Sequence, residues 1–516
     1  MIETAQPVLE LKGITKTFGP IVANKDIELK IAAGTIHGIV GENGAGKSTL
    51  MNIIYGLHAP DQGEIWVKGK RVQMRSSADA IAQGIGMVHQ HFMLVPTFTV
   101  LENVMLGTEG GMLLDKGEKA LTQRLDDLAR DFGLSVDKDA LIQDLPVGVR
   151  QRVEVIKALK TGADILILDE PTGVLTPQEA ENLFAVLRDM RARGVTILLI
   201  THKLDEIMAI TDNVTIMHRG QSVGQRETAK TSKQELAELM VGRPVLLSVD
   251  AGLAKPSQVL LEVRDLTYHD QQGIKRLDGV NFTLRAGEIL GIAGVSGNGQ
   301  SELLELLSGM LPLQEGQVQV FDQRLEKQSN VNPHFMRALG VGHIPEDRHQ
   351  HGLVLNFTMR ENAILGFQDR KQTGQSIIMD QQGIHQHCQA LMDQYDVRPA
   401  NPALYGANFS GGNQQKVVIA REVEEAPRIL LVGQPTRGVD VGAIEFIHKQ
   451  LIALRDKGCA ILLVSVELDE IMGLSNRIMV MNQGSCVGIV ERDQTDVTQL
   501  GLMMAGVKQD KQEEAN

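Results

Sequence analysis

Cysteine is scarce in this chain. Only Cys388, Cys459 and Cys486 carry a thiol, all in the second half and none in a Cys-x-x-Cys pair. Three unclustered thiols speak against a disulfide framework and suggest a reduced, cytosolic protein. The start, Met1-Ile2-Glu3-Thr4-Ala5, lacks both the basic residues and the apolar run of a secretory signal. No apolar stretch approaches the roughly 18 residues that suggest a membrane-crossing helix. Any link to a membrane is therefore expected to run through partners. Positive charge is in deficit as well: 51 Lys and Arg stand against 64 Asp and Glu, a formal charge of −13. Such a chain is a poor candidate for gripping nucleic acid or anionic lipid by net charge.

Length and repetition are what the chain has. Its 516 residues, 43% of them hydrophobic, are enough for two or more domains with their own cores. Asp169 and Gly433 stand 264 positions apart, as do Leu145 and Phe409, and His202 and Val466. Two glycine loops open 253 apart, at Gly41 and Gly294, so the second copy has a net insertion of about eleven residues between these landmarks. Leu121, Leu125, Leu128 and Phe132 form an amphipathic helical stripe, which Ile384, Cys388, Leu391 and Tyr395 repeat 263 positions later. One such stripe is simply a core face. The near-constant offset marks a duplicated domain, with a period too long for a solenoid. The expected divisions are a first domain over 7–243, a linker over 244–258 containing Pro244 and Pro256, a second domain over 259–506, and a charged, disordered tail over 507–516.

Each half reads as α/β. The run Ile36 to Val40 leads into the first glycine loop, and Ser48 to Tyr55 reads as the helix after it. Ile165 to Leu168 and Val195 to Ile200 are short apolar runs of the kind that form strands buried on both faces. Residues at the ends of such strands occupy the usual ligand position of a parallel α/β sheet.

The first loop, Gly41-Glu42-Asn43-Gly44-Ala45-Gly46-Lys47-Ser48-Thr49, fits the phosphate-loop pattern G-x-x-x-x-G-K-[S/T]. Its glycines let backbone N–H groups converge on phosphate, and the following helix N-terminus adds a positive dipole end. Lys47 is expected to reach the β- and γ-phosphates of ATP and Ser48 to ligate Mg²⁺. Asp169 is expected to hold Mg²⁺, and Glu170 to polarise the attacking water as general base. An adjacent Asp-Glu pair is commonplace on solvated surfaces. Its place after four apolar residues and before Pro171-Thr172 makes this one informative. The second half reads Gly294-Val-Ser-Gly297-Asn-Gly299-Gln300-Ser301 and Val432-Gly433-Gln434 at these places. It has neither the loop lysine nor either carboxylate.

Two histidine clusters invite a zinc reading: His349 with His351, and His385 with His387 beside Cys388. Cys388 belongs to the apolar stripe, so the histidines next to it point elsewhere, and the bland reading is preferred.

On these motifs the chain, from about Leu9 to Gly506, resembles the tandem ATPase subunit of ATP-binding cassette importers of the sugar and nucleoside type. The nucleoside branch is suggested by Gly297 to Leu303, His343 to Arg348, and Gln434 to His448. The resemblance implies two tandem P-loop nucleotide-binding domains, each with a RecA-like core, an antiparallel β subdomain and a helical subdomain. It implies that Gln90 senses Mg²⁺ and the permease, that His202 is the switch histidine at the γ-phosphate, and that Phe18 stacks on adenine. It also implies that Ser410, Gly411 and Gly412, in the intact signature Phe409-Ser410-Gly411-Gly412-Asn413-Gln414, close over the nucleotide held by Lys47, with Asp440 as the D-loop aspartate. The first signature is damaged, Leu145-Pro146-Val147-Gly148-Val149, and Thr176 stands where the second copy has Asp440. The intact parts would thus assemble one working site in a head-to-tail pairing, and the damaged parts the other, where no useful hydrolysis is expected. Implied partners are two membrane permease subunits and, indirectly, a periplasmic or lipoprotein substrate-binding protein. The implied location is the cytoplasmic face of the bacterial inner membrane, peripheral, with no membrane insertion and no nucleic acid. Simple sugars are the alternative cargo. A soluble tandem-cassette translation factor fits less well, given the short linker and acidic balance, and Glu170 and His202 argue against a non-hydrolytic clamp.

Overall fold

In a computed structural model, the residues described run from 7 to 507, apart from 20, 90–91, 108–121, 124, 126–128, 131–133, 161, 174, 176, 247–248, 250, 296 and 369–378. The chain divides into two compact units, Met1–Val245 and Leu246–Asn516.

The first unit has ten strands: β1 Leu9–Phe18, β2 Ile21–Ile31, β3 Ile36–Gly41, β4 Gln62–Val67, β5 Lys70–Val72, β6 Ile85–Val88, β7 Ile165–Asp169, β8 Thr196–Ile200, β9 Asn213–His218 and β10 Gln221–Glu227. They form a four-stranded antiparallel sheet, β2-β1-β4-β5, and a six-stranded sheet, β10-β9-β3-β8-β7-β6. In the larger sheet only β10 runs antiparallel. Every residue of β3, β7 and β8 is buried, as the apolar runs predict for strands covered on both faces. Register then places the chemistry. Ile39 and Asp169 flank Ile200 from either side. The loop after β3, the pair Asp169-Glu170 and the pair Thr201-His202 therefore leave one edge of the sheet together, at the carboxyl ends of its strands.

The second unit repeats the plan with β11 Val259–His269, β12 Lys275–Arg285, β13 Ile289–Ala293, β14 Glu315–Val320, β15 Gln323–Leu325, β16 Val341–Ile344, β17 Ile429–Gly433, β18 Ala460–Val464, β19 Arg477–Asn482 and β20 Ser485–Glu491. Its sheets are β12-β11-β14-β15 and β16-β17-β18-β13-β19-β20, the same order strand for strand. Ile292 and Gly433 flank Val464, so the equivalent three segments again share an edge.

The repeated stripe behaves as a core face. Ile384, Cys388, Leu391 and Tyr395 are buried along the helix Gln381–Gln394, while His385 is exposed. Of the first stripe, Leu125 is buried and its other members lie outside the described residues. The tail from 508 also lies outside them. The segment before β11 packs on the second unit: Val249 and Ala251 contact its core, and the buried Arg455 donates from Nη2 to Ala251 O. No described helix is long and apolar enough to cross a membrane.

Candidate functional site

The first glycine loop joins β3 to the helix Lys47–Ile54. Gly46 caps that helix at φ +92°, in left-handed backbone, and a Cβ there would collide with Ala23 O and the Asn24 side chain. Asn24, fully buried on β2, donates from Nδ2 to Gly46 O at 3.1 Å, so the antiparallel sheet braces the loop. Lys47 is buried. Its Nζ donates to Gly41 O at 2.8 Å and Glu42 O at 3.1 Å, which folds the ammonium back across the loop. Burial lowers its pKa, and the carboxylates of Glu170, Asp169 and Glu42 oppose that shift. Phosphate oxygens would offer the ammonium a better partner than neutral carbonyls.

At the end of β7 the two carboxylates have different surroundings. Burial pushes the Asp169 carboxyl up, the Glu170 charge adds to this, and a hydrogen bond from Ser48 opposes it. For Glu170 burial also acts upward. It is outweighed by a hydrogen bond and charge from His202 and by the Lys47 and Lys203 charges, which hold the carboxyl below its ordinary value. His202 Nδ1 lies 2.9 Å from Glu170 Oε1. Glu170 has φ +47°, an uncommon conformation for a residue with a side chain. Four groups thus converge: a cation, a hydroxyl–carboxylate pair of hard oxygen donors suited to Mg²⁺, an ionised carboxylate placed as a base, and an imidazole bonded to it.

Phe18, at the end of β1, is 42% exposed, with its ring 5.3 Å from that of His58 in an edge-on contact. The exposed ring leaves a face for a planar base. Gln90 and Thr176 lie outside the described residues. Pro146 begins the helix Val147–Leu159 with no side-chain cap.

In the second unit, Ser410 caps the helix Gly411–Val423, its Oγ accepting from Asn413 Nδ2 at 2.9 Å. Asp440 is engaged within its own unit. It caps the helix Val441–Asp456, with Oδ1 accepting from Ala443 N at 2.8 Å, and it lies against Gly412. The unit's own loop ends at Gly299, φ +96°, before the helix Gln300–Leu307. Gln300 Nε2 donates to Val295 O at 3.2 Å, a neutral version of the Lys47 contact. Gln434 keeps φ +46°, and its Oε1 accepts from Val466 N at 3.2 Å.

A family model described as ABC transporter matches residues 24–173 and 277–437, one segment in each unit. The chain belongs to the ABC transporter family. Three relatives align over nearly their whole length. The nucleoside import ATP-binding protein NupA of Lactococcus lactis subsp. cremoris is 45% identical over 97% of this chain and 98% of its own. The guanosine import ATP-binding protein NupO of Bacillus subtilis is 44% identical over 99% of both. The glucose import ATP-binding protein TsgD13 of Haloferax volcanii is 41% identical over 98% of this chain and 96% of its own.

Some groups around these ABC-family motifs carry no sequence signal. Asn24 braces the loop from a strand in another sheet. Thr172 Oγ1 bonds the buried Glu206, fixing the segment after Glu170. Ser301 and Glu346, by contrast, stand in readable places, the second glycine loop and the position 256 residues after Gln90; only their hydrogen bond, Ser301 Oγ to Glu346 Oε2 at 2.5 Å, has no sequence signal.

Proposed function

We propose that the chain is the ATP-hydrolysing subunit of a nucleoside importer, and that it has one competent site. The observation that carries this reading is Glu170 Oε1 at 2.9 Å from His202 Nδ1, beside Lys47 and the Ser48–Asp169 pair. Lys47 and the loop N–H groups bind and orient the triphosphate, and Phe18 stacks on adenine. Mg²⁺ held at Ser48, Asp169 and Gln90 would draw off phosphate charge. Glu170, kept ionised by His202 and the nearby cations, accepts a proton from the attacking water as it meets the γ-phosphorus. His202 orients that carboxylate and faces the γ-phosphate.

Closure needs a signature helix. The first unit's begins at Pro146, which offers neither hydroxyl nor N–H. The second unit's begins at Ser410-Gly411-Gly412, with Asp440 beside it. On this reading the second signature would serve the first loop, in the head-to-tail pairing that the family resemblance implies. The domain limits of the reading are 7–243 and 259–506. Opening and closing of this pair would drive two permease subunits from the cytoplasmic face of the membrane, with a substrate-binding protein delivering cargo outside.

Nucleoside cargo is supported by the names of the 45% and 44% identical relatives. A sugar is the second reading, favoured by the glucose-import relative at 41%. Calorimetry on the cognate binding protein separates them. Tighter binding of a nucleoside than of ribose or glucose is expected, and the reverse order overturns the cargo assignment. An ATPase assay of the permease-bound complex tests the rest: hydrolysis surviving unchanged in Glu170→Gln would defeat the assignment of the base.

A further inference from the structure

No step of the proposed hydrolysis uses the segment His343 to Arg348, yet its last residue sits at a junction. Arg348 lies beyond the end of β16 and opens a single wide turn, Arg348–Gly352, in which Leu353 N donates back to Arg348 O at 2.7 Å. Turns of this π type are rare and gather at functional sites. Both ends of the turn are pinned. Asp347 Oδ1 accepts from His349 N at 2.8 Å and from Gln350 N at 3.1 Å, and the buried Arg421 donates from Nη1 to Gly352 O at 3.0 Å. Arg421 belongs to the signature helix Gly411–Val423, so the turn is tied to that helix.

The half-buried Arg348 side chain reaches two further segments. Nη1 donates to Arg437 O at 3.0 Å, in the loop between β17 and the helix that Asp440 caps. Nε points at Gln414 Oε1 from 3.4 Å, and His349 Nε2 lies 2.8 Å from the same oxygen. Gln414 Nε2 in turn donates to Gly406 O at 3.0 Å, just ahead of the signature. The remaining corner of the guanidinium lies against the signature itself. A Cβ on Gly411 would come within 2.6 Å of Arg348 Nη2 and 3.1 Å of Gly438 O, so Gly411 is packed between the guanidinium and the D-loop. One planar fork thus spans the signature helix and the D-loop, a geometry that the point charge of a lysine does not reproduce. Stability alone does not ask for it, because a cation at the N-terminus of a helix opposes the macrodipole.

The first unit has none of this. Val88 pairs with Leu168 and Ile344 with Val432, so Phe92 holds the place of Arg348. Val147 holds the place of Gly411, and Arg150 that of Gln414, where it turns instead to Leu145 O at 2.8 Å and Gln143 O at 2.7 Å. Arginine, glycine and glutamine occur together in the unit whose signature is intact and are missing together from the unit whose signature is damaged.

We propose that Arg348 is a positioning residue for ATP hydrolysis, fixing the spacing between Ser410-Gly411-Gly412 and the D-loop before they close over the nucleotide at Lys47. It acts through Gly411, Gln414 and Arg437 and touches no phosphate. The inference rests on the reading in which the second signature serves the first loop.

The test is steady-state turnover of the permease-bound complex carrying Arg348→Met or Arg348→Lys, with the ADP inhibition constant and the thermal unfolding midpoint measured on the same samples. Methionine keeps an apolar stem in place and removes the fork. It should lower kcat by on the order of ten- to a hundredfold, since a misplacement of about 1 Å can cost about a hundredfold. The ADP constant and the midpoint should stay at their wild-type values, because ADP at the Lys47 loop does not need the signature and the fold does not need the cation. Lysine, still able to reach Arg437 O, should recover several-fold of the lost turnover. An unchanged kcat in Arg348→Met would overturn the proposal. So would a loss accompanied by weaker ADP inhibition or a lower midpoint, or a lysine variant no better than methionine. The head-to-tail reading fails separately, if Gly412→Asp keeps full turnover; the role of Arg348 alone fails if Gly412→Asp is inactive while Arg348→Met is not.

Discussion

Residues 170 and 434 share a backbone and differ in everything chemical. Glu170 sits at φ +47° and Gln434 at φ +46°, each one residue past a buried strand. Holding a non-glycine residue there costs on the order of 1 kcal/mol or more, and the second unit bears that cost although its residue is no base. The backbone at this corner follows from strand order and register, which both units share. The reactive groups sit on that frame and are exchanged one at a time: Lys47 for Gln300, Asp169 for Gly433, His202 for Val466. A duplicated fold therefore shows where chemistry was, and only the side chains show where it remains.

The sharpest way to break this contrast is at the base. Glu170→Gln is expected to lower ATPase activity by roughly 10²–10⁴-fold while ATP binding persists. Gln434→Glu is expected to add nothing, because Gln300, Gly433 and Val466 are unchanged. A gain in turnover from Gln434→Glu would mean that the second corner is still reactive.

The signature comparison comes next. Gly412→Asp should cost roughly a hundredfold in activity, the scale of removing one preorganised donor; Gly148→Asp should cost a few fold at most. The two variants are well matched locally, since a side chain at Gly412 would meet the Asp440 carboxylate and one at Gly148 the Glu179 carboxylate. Turnover in the permease-bound complex, with both variants shown to be folded, decides between them. A larger loss from Gly148→Asp would reverse the pairing of motifs.

A smaller effect is expected on the acid limb of the pH–rate profile. His202 is the strongest influence holding Glu170 below its ordinary pKa against burial. In His202→Ala the residual activity should lose its ionised base at a higher pH than the wild type does. An unmoved acid limb would detach the imidazole from the base.

The mildest contrast lies in the two cores. His37, buried on β3, shares a 2.8 Å hydrogen bond with Thr215 Oγ1 on β9, and burial pushes its pKa down to about 4. Leu290 and Met479 hold the matching places in the second unit. The folded state keeps His37 neutral whereas the unfolded chain protonates it near pH 6.5. Its contribution is therefore complete above pH 6.5 and is lost as pH falls towards 4, by at most about 3 kcal/mol. The double variant His37→Leu/Thr215→Met should flatten the decline of the unfolding midpoint over that window. An unchanged slope would place the acid sensitivity elsewhere.

Much of this was legible in the sequence. The glycine loops, the buried runs of β7 and β8 and the 264-residue offset are local patterns, and strand burial follows directly from them. What was not legible depends on which strands are neighbours. Glu346 and Ser301 are 45 residues apart, and they meet only because β16 lies beside β17 and Gly433 leaves the glutamate room. Asn24 likewise gains its meaning only when β2 comes up against Gly46.

Arg455 has a practical consequence for anyone who would study the halves separately. Its side chain is 1% exposed, and one of its few acceptors is Ala251 O, ten residues before the first strand residue Leu261 that pairs with β14. A recombinant fragment opened at 259, where the repeat itself begins, would strip that acceptor and the Val249 and Ala251 side chains from the protein interior. A buried cation left short of partners is among the costlier defects a core can carry. Fragments cut at 246 should be soluble and cooperative on melting; those cut at 259 should be prone to aggregation, and that difference would reflect the cut rather than the domain.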